Sequence, residues 1–295
     1  PSRRSRASPG REEPPRRPRR TGDGSDPAST APTGLALYDR TAEAAAAAVI
    51  SRYSTSFALA CRLLGPRPRP HVRNIYALVR VADEIVDGPG ESAGLDAGAQ
   101  RRILDDLETE TCTAIGRGFS SNLIVHAFAR TARECGIGRD LIEPFFQSMR
   151  VDITTREHDA SSHDSYVYGS AEVVGLMCLQ VFVNAGKPHP EPAPADLVDG
   201  ARRLGAAFQD VNFLRDLDFD EDALGRDYLG IDAGTATRTT VLDRIDGDLA
   251  AAAAVVPKLP SDCRRAVTAA HDLFGELSLR LRRAGDDTHS RVRVP

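Results

Sequence analysis

Two stretches of this chain, Tyr76–Asp87 (YALVRVADEIVD) and Gln209–Asp220 (QDVNFLRDLDFD), each carry two aspartates four residues apart. They are Asp83 with Asp87 and Asp216 with Asp220. On an α-helix, positions i and i+4 share a face. Tyr76 and Arg80 extend that face in the first stretch, and Gln209 and Asn212 extend it in the second. Apolar residues fill the positions between (Val81, Ile85; Val211, Leu214). A carboxylate stripe with such neighbours is expected to face an internal cavity. Paired carboxylates there repel unless a cation neutralises them, and hard oxygen ligands suit Mg²⁺, with Mn²⁺ an alternative. Mg²⁺ is usually completed by water and substrate phosphates, and the nearby Arg80 and Arg215 suit the remaining phosphate oxygens. One such motif in a chain with 27% charged residues also reads as a solvated helix face. Two copies, each with its arginine, favour a diphosphate clamped between two acidic helices.

Helices must position these groups. Helical periodicity dominates, over about 38–52, 70–87, 96–116, 121–134, 139–149, 164–185, 195–219, 239–255 and 261–283. Glycine and proline punctuate the pattern: Gly65-Pro66 before the first acidic helix, Gly88-Pro89-Gly90 directly after Asp87, and Gly136-Ile137-Gly138 further on. No convincing strand alternation or repeat interrupts it. The expected fold is all-α, a single-domain helical bundle with a central cavity.

The expected domain spans residues 35–295, preceded by an Arg/Pro-rich leader over 1–34. The first thirty residues hold eight arginines, four acids and six prolines, and no Val, Ile, Leu, Phe or Tyr. Such composition cannot offset the entropy of ordering, so the leader is expected to be disordered. Deleting residues 1–34 should leave activity within about twofold, because the leader offers the core no apolar anchor; a larger loss in a steady-state assay would show that it takes part. The rest of the chain is more acidic than the whole-chain net charge of −4, which argues against nucleic acid as a partner. Five scattered cysteines without a CxxC suggest free thiols and a cytoplasmic setting. No run of apolar residues long enough for a membrane span is evident, so any membrane contact is expected to be peripheral. His158 and His163 lie near each other without a third zinc ligand. The chain has no GxGxxG after a strand and no P-loop, hence no fingerprint for NADPH.

Three segments resemble the squalene and phytoene synthases, the head-to-head prenyl synthases. YSTSFALACRLLGPRPRPHVRNIYALVRVADEIVD (53–87) resembles the first signature of that family, YVYGSAEVVGLM (166–177) its middle segment, and FQDVNFLRDLDFDEDALGRDYL (208–229) its second signature. The similarity runs over roughly 40–290. Two positions depart from the pattern: Glu172 stands where glycine is usual, and Asp210 where an apolar residue is more common. A glutamate at 172 is expected to point away from a lipid cavity, where its desolvation would be costly.

The resemblance implies an isoprenoid synthase type of fold and a Mg²⁺-dependent prenyltransferase in carotenoid biosynthesis. Its substrate would be a prenyl diphosphate, and the missing dinucleotide fingerprint favours an ending without NADPH. Joining two geranylgeranyl diphosphates through a cyclopropyl intermediate is the first expectation; squalene or dehydrosqualene synthesis from farnesyl diphosphate is the alternative, and a non-catalytic scaffold of the same fold a further one. It also implies roles. Asp83, Asp87, Asp216 and Asp220 are the expected catalytic metal ligands, with Asn212 beside them. Ser54, Phe57, Tyr76, Arg80, Tyr166, Tyr168, Gln209, Arg215, Arg226 and Tyr228 are the expected substrate contacts. Peripheral membrane contact would serve product release.

Overall fold

The structure, a computed structural model, describes residues 33–154, 160–223, 229, 231, 234 and 236–285, with backbone alone at 56, 160, 161 and 216–223. The expected leader over 1–34 therefore lies almost wholly outside the described residues. Twelve α-helices follow in order among them: α1 (Gly34–Tyr53), α2 (Thr55–Leu63), α3 (Arg69–Val86), α4 (Gly88–Ser92), α5 (Ala97–Arg117), α6 (Leu123–Cys135), α7 (Arg139–Thr154), α8 (Ala160–Val167), α9 (Val173–Asn184), α10 (Ala195–Ala223), α11 (Arg238–Val255) and α12 (Ser261–Ala284). A π-helical turn, Tyr168–Glu172, joins α8 to α9. No strand occurs among the described residues. The bundle is all-α, as its periodicity predicts.

Local chemistry sets the helix ends. Asn122 caps α6, its Oδ1 accepting from the backbone N–H of Ile124 at 3.0 Å, and Gly136 ends it in the left-handed region at φ 75°. Helix α2 was not expected from the sequence. Ser54 starts it, its Oγ accepting from the N–H of Phe57 at 3.1 Å. Helix α3 stops one residue earlier than its acidic stripe suggests. Asp87 is its C-cap with extended backbone, because Gly88-Pro89 begins the separate turn α4.

The largest apolar core joins α3, α5, α6, α7 and α9 around Phe128, Phe145, Phe146 and Met177. A second joins α10, α11 and α12 around Leu214, Ile245 and Leu281. The segment Ser162–Asn184 is long and apolar enough to cross a membrane by composition, which corrects the expectation that no such stretch exists. Here it packs inside the bundle, with Val173 and Val181 fully buried. Its small residues serve close packing: a Cβ on Gly175 would lie 2.6 Å from the carbonyl oxygen of Ala201, and one on Gly205 2.7 Å from that of Ala171. Helix α10 thus lies against the π turn and α9 at a distance only glycine permits. The five cysteines are free, and burial pushes the Cys135, Cys178 and Cys263 thiols up to about 12, which keeps them unreactive.

Candidate active site

One cavity of about 1100 Å³ runs through the bundle between α2, α3, α9, α10 and α12. Along α10 its lining changes from apolar (Leu197, Ala201, Leu204, Phe208) to polar (Gln209, Asn212, Arg215). At a rise of 1.5 Å per residue, the apolar part covers roughly 16 Å and the whole about 27 Å. Helix α3 repeats the gradient, from Val72 and Ile75 through Val79 to Arg80 and Asp83. The two polar stretches are linked across the cavity, because Asp152 lies within electrostatic range of Asp83 and accepts from Tyr166, whose ring meets that of Phe213 on α10 at 6.1 Å.

Ten of the expected site residues meet there: Ser54, Phe57, Tyr76, Arg80, Asp83, Asp87, Tyr166, Gln209, Asn212 and Arg215 all line this cavity. Tyr168 does not. It lines a smaller neighbouring cavity, with the Arg202 guanidinium 5.3 Å from its ring centroid. Tyr166 and Tyr168 are two residues apart, about 200° around a helix, so one cavity cannot take both. Asp216 and Asp220 sit on α10, but their side chains lie outside the described residues, as do Arg226 and Tyr228 entirely. Glu172 turns away from the main cavity and accepts from Arg202 at 2.6 Å, as its desolvation cost predicts.

The electrostatics of the first acidic motif fit a site for a cation and an oxyanion. Asp83 is enclosed by protein, and solvent reaches its 27% exposed side chain through the cavity. Burial, reinforced by the negative charge of Asp87, pushes its carboxyl up to about 8, against a partial counter-effect from Arg80. Arg80 lies over the Tyr53 ring at 4.9 Å and pairs with Glu84 and, at 3.9 Å, with Asp83. Its buried Nε has no hydrogen-bond partner among the described residues. A carboxylate forced towards neutrality beside an arginine with an unused donor is the arrangement that a divalent cation and a phosphate oxygen would satisfy. Asp83 and Asp87 would hold the cation. Among the described residues no three acidic, His or Cys side chains converge on one point; the α10 carboxylates expected opposite, Asp216 and Asp220, have side chains outside that set.

Several residues here carried no sequence signal. Tyr166 donates from its hydroxyl to Asp152 at 3.0 Å, and Asp152 lines the cavity within electrostatic range of Asp83. An isolated acid on α7 had no spacing partner to reveal it. Phe208 and Phe274 stack at 3.8 Å, and Phe57 approaches Phe274 at 6.3 Å and Tyr76 at 6.1 Å. Together they form an aromatic wall between the polar end and the apolar length. Burial raises the Tyr76 hydroxyl above its ordinary value, so it acts as a neutral donor at neutral pH.

An all-α bundle around a deep cavity, polar at one end and apolar along its length, is the architecture of the isoprenoid synthases. Residues 50–236 match the model of the squalene/phytoene synthase family, and the chain belongs to that family of prenyltransferases, whose substrates are prenyl diphosphates. It is 28% identical over 262 residues to the 15-cis-phytoene synthase of Paracoccus sp. (strain N81106 / MBIC 01143), covering 81% of this chain and 82% of that protein. It is 32% identical over 201 residues to the chloroplastic phytoene synthase 2 of Zea mays, covering 66% of this chain and 45% of the maize protein. Among solved structures, a dehydrosqualene synthase in complex with ligand superposes with a TM-score of 0.69 at 22% identity, covering 86% of this chain and 94% of that one. The squalene synthase HpnC from Alicyclobacillus acidocaldarius gives 0.70 at 19% identity, covering 84% and 96%. At these identities the two structures speak for the fold.

Proposed function

We propose that the chain is a phytoene synthase, joining two geranylgeranyl diphosphates head to head in carotenoid biosynthesis. The observation that carries this is the cavity gradient: arginines and carboxylates at one end, about 16 Å of apolar wall beyond them. The relatives named phytoene synthase support the same choice. Arg80 and Arg215 would take the negative charge of the diphosphates, and Asp83 and Asp87, with Asp216, Asp220 and Asn212 from α10, would hold Mg²⁺ or Mn²⁺. The bound metal would stabilise the departing diphosphate as negative charge develops on it. The second substrate's double bond would attack the allylic cation, giving a cyclopropyl diphosphate; its ionisation and rearrangement would follow. The aromatic wall of Phe57, Phe208 and Phe274 would exclude water from the cations. Loss of a proton to the released diphosphate, held by the arginines, would end the sequence without a hydride and so without NADPH. We place the enzyme in the cytoplasm, with peripheral membrane contact for release of its apolar product.

Incubation with geranylgeranyl diphosphate and Mg²⁺ alone, followed by identification of the hydrocarbon, tests this. Phytoene is the expected product. A product that appears only with NADPH, or only from farnesyl diphosphate, overturns the assignment in favour of squalene or dehydrosqualene synthesis.

A further inference from the structure

On the side of α10 away from the main cavity, Asp210 is 1% exposed. Both carboxylate oxygens are engaged: His163 Nε2 lies 3.1 Å from Oδ1, and Arg244 Nε donates to Oδ2 at 2.9 Å. His163 belongs to α8 and Arg244 to α11, so one buried carboxylate ties three helices together. The adjoining cavity, about 520 Å³, holds further charges that are already paired: Glu172 with Arg202 at 2.6 Å and Asp248 with Arg203 at 3.0 Å; Asp164 Oδ1 lies 3.4 Å from His163 Nδ1. Charges that neutralise one another leave little for a charged ligand to claim, so the cluster reads as a clamp.

A buried ion pair is a poor source of stability, because desolvating its members offsets much of their attraction, and an apolar side chain at position 210 would avoid that cost. What the pair supplies is direction. Hydrogen bonds from two sides fix the rotation of α10, and rotation decides which α10 side chains face the main cavity. Phe213, one turn further on, adds to the grip: its ring meets those of His163 at 6.4 Å and Tyr166 at 6.1 Å. Tyr166, one turn along α8 from His163, is in turn bonded to Asp152 in the main cavity.

We infer that Asp210 is a positioning residue, whose clamp with His163 and Arg244 holds α10 so that Gln209, Asn212 and Arg215 face the reacting diphosphates. The inference rests on the prenyl synthase reading. Its test uses the full chain carrying Arg244→Gln, Arg244→Lys or Asp210→Asn, assayed with prenyl diphosphate over a Mg²⁺ titration alongside thermal midpoints. Both Arg244→Gln and Asp210→Asn should lower kcat by about tenfold to a hundredfold, the scale for groups that orient metal ligands, and should raise the Mg²⁺ needed for half-maximal rate. KM should change less, and Arg244→Lys, which keeps a donor for Oδ2, should recover most of the rate. If Asp210→Asn fails to fold, Arg244→Gln decides, since the Arg244 side chain is 42% exposed and its loss leaves the core filled. An unchanged kcat and Mg²⁺ requirement beside an active wild type, with only the thermal midpoint lowered, overturns the positioning role alone. A wild type inactive on every prenyl diphosphate overturns the function and the inference with it.

Discussion

Asp83→Asn should cost roughly a thousandfold in turnover, about 4 kcal/mol of transition-state stabilisation, while making the metal-free protein more stable. The two effects share one cause. Asp83 stands beside Asp87 in a cavity that desolvates it, and its carboxyl rises from an ordinary 3.8 to about 8. The folded chain therefore binds a proton there more tightly than the unfolded chain does. Stability from that proton is full below about pH 4 and is lost progressively as pH climbs to about 8. Asparagine keeps the shape and carries no charge, so its advantage is absent near pH 4, grows across that window and levels above it.

Added Mg²⁺ should separate the two proteins further. A ligand that binds only the folded state raises its thermal midpoint by mass action, so Mg²⁺ with diphosphate should stabilise the wild type and not Asp83→Asn. Metal binding must displace the Asp83 proton, so the Mg²⁺ requirement should rise as pH falls below about 8. Thermal melts at pH 5 and pH 9, with and without Mg²⁺ and diphosphate, measure all of this. A mutant that melts below the wild type at pH 9 without metal, or that turns over normally, would show Asp83 to be an ordinary solvated acid.

The helices were legible because their apolar residues recur at helical spacing and because Gly-Pro pairs stop them. The acidic motif on α3 was legible for the same reason, since i and i+4 relations are local. Misreadings arose where local rules compete. Thr55–Leu63 falls outside the helices that the periodicity predicts, yet the Ser54 cap suffices to start α2. Asp87 was placed on a helix that Gly88-Pro89 ends just before it. Tyr168 was grouped with Tyr166 by motif, although helix geometry sends them to different cavities. What the sequence hid was long-range. Asp210 and His163 are 47 residues apart, and nothing in either stretch announces the other. Asp152 and Phe274 likewise acquire meaning only when the bundle closes around them.

Substrate length should be set by the deep end of the cavity, and Ala201→Phe should shorten it. Ala201 lines the cavity on α10 fourteen residues before Arg215, about 21 Å down the helix. Its neighbours are poor places for such a change. A side chain on Gly205 would strike the carbonyl oxygen of Ala171, and one on Gly200 would meet Val255 Cγ2 at 2.2 Å, so both would push helices apart. At position 201 a Cβ is already accommodated, and the added ring would enter space that the tail of a twenty-carbon chain requires. A fifteen-carbon chain, anchored by the same arginines, would end short of it. Turnover of geranylgeranyl diphosphate relative to farnesyl diphosphate should fall about a hundredfold, near 3 kcal/mol of discrimination. Overpacking can itself cost 1–3 kcal/mol of stability, typically, so the thermal midpoint must be followed in parallel, with Ala201→Leu as a milder step in the same direction. An unchanged preference between the two substrates, with a folded protein, would show that Ala201 does not select for length, and that selection occurs elsewhere along α3 or α12.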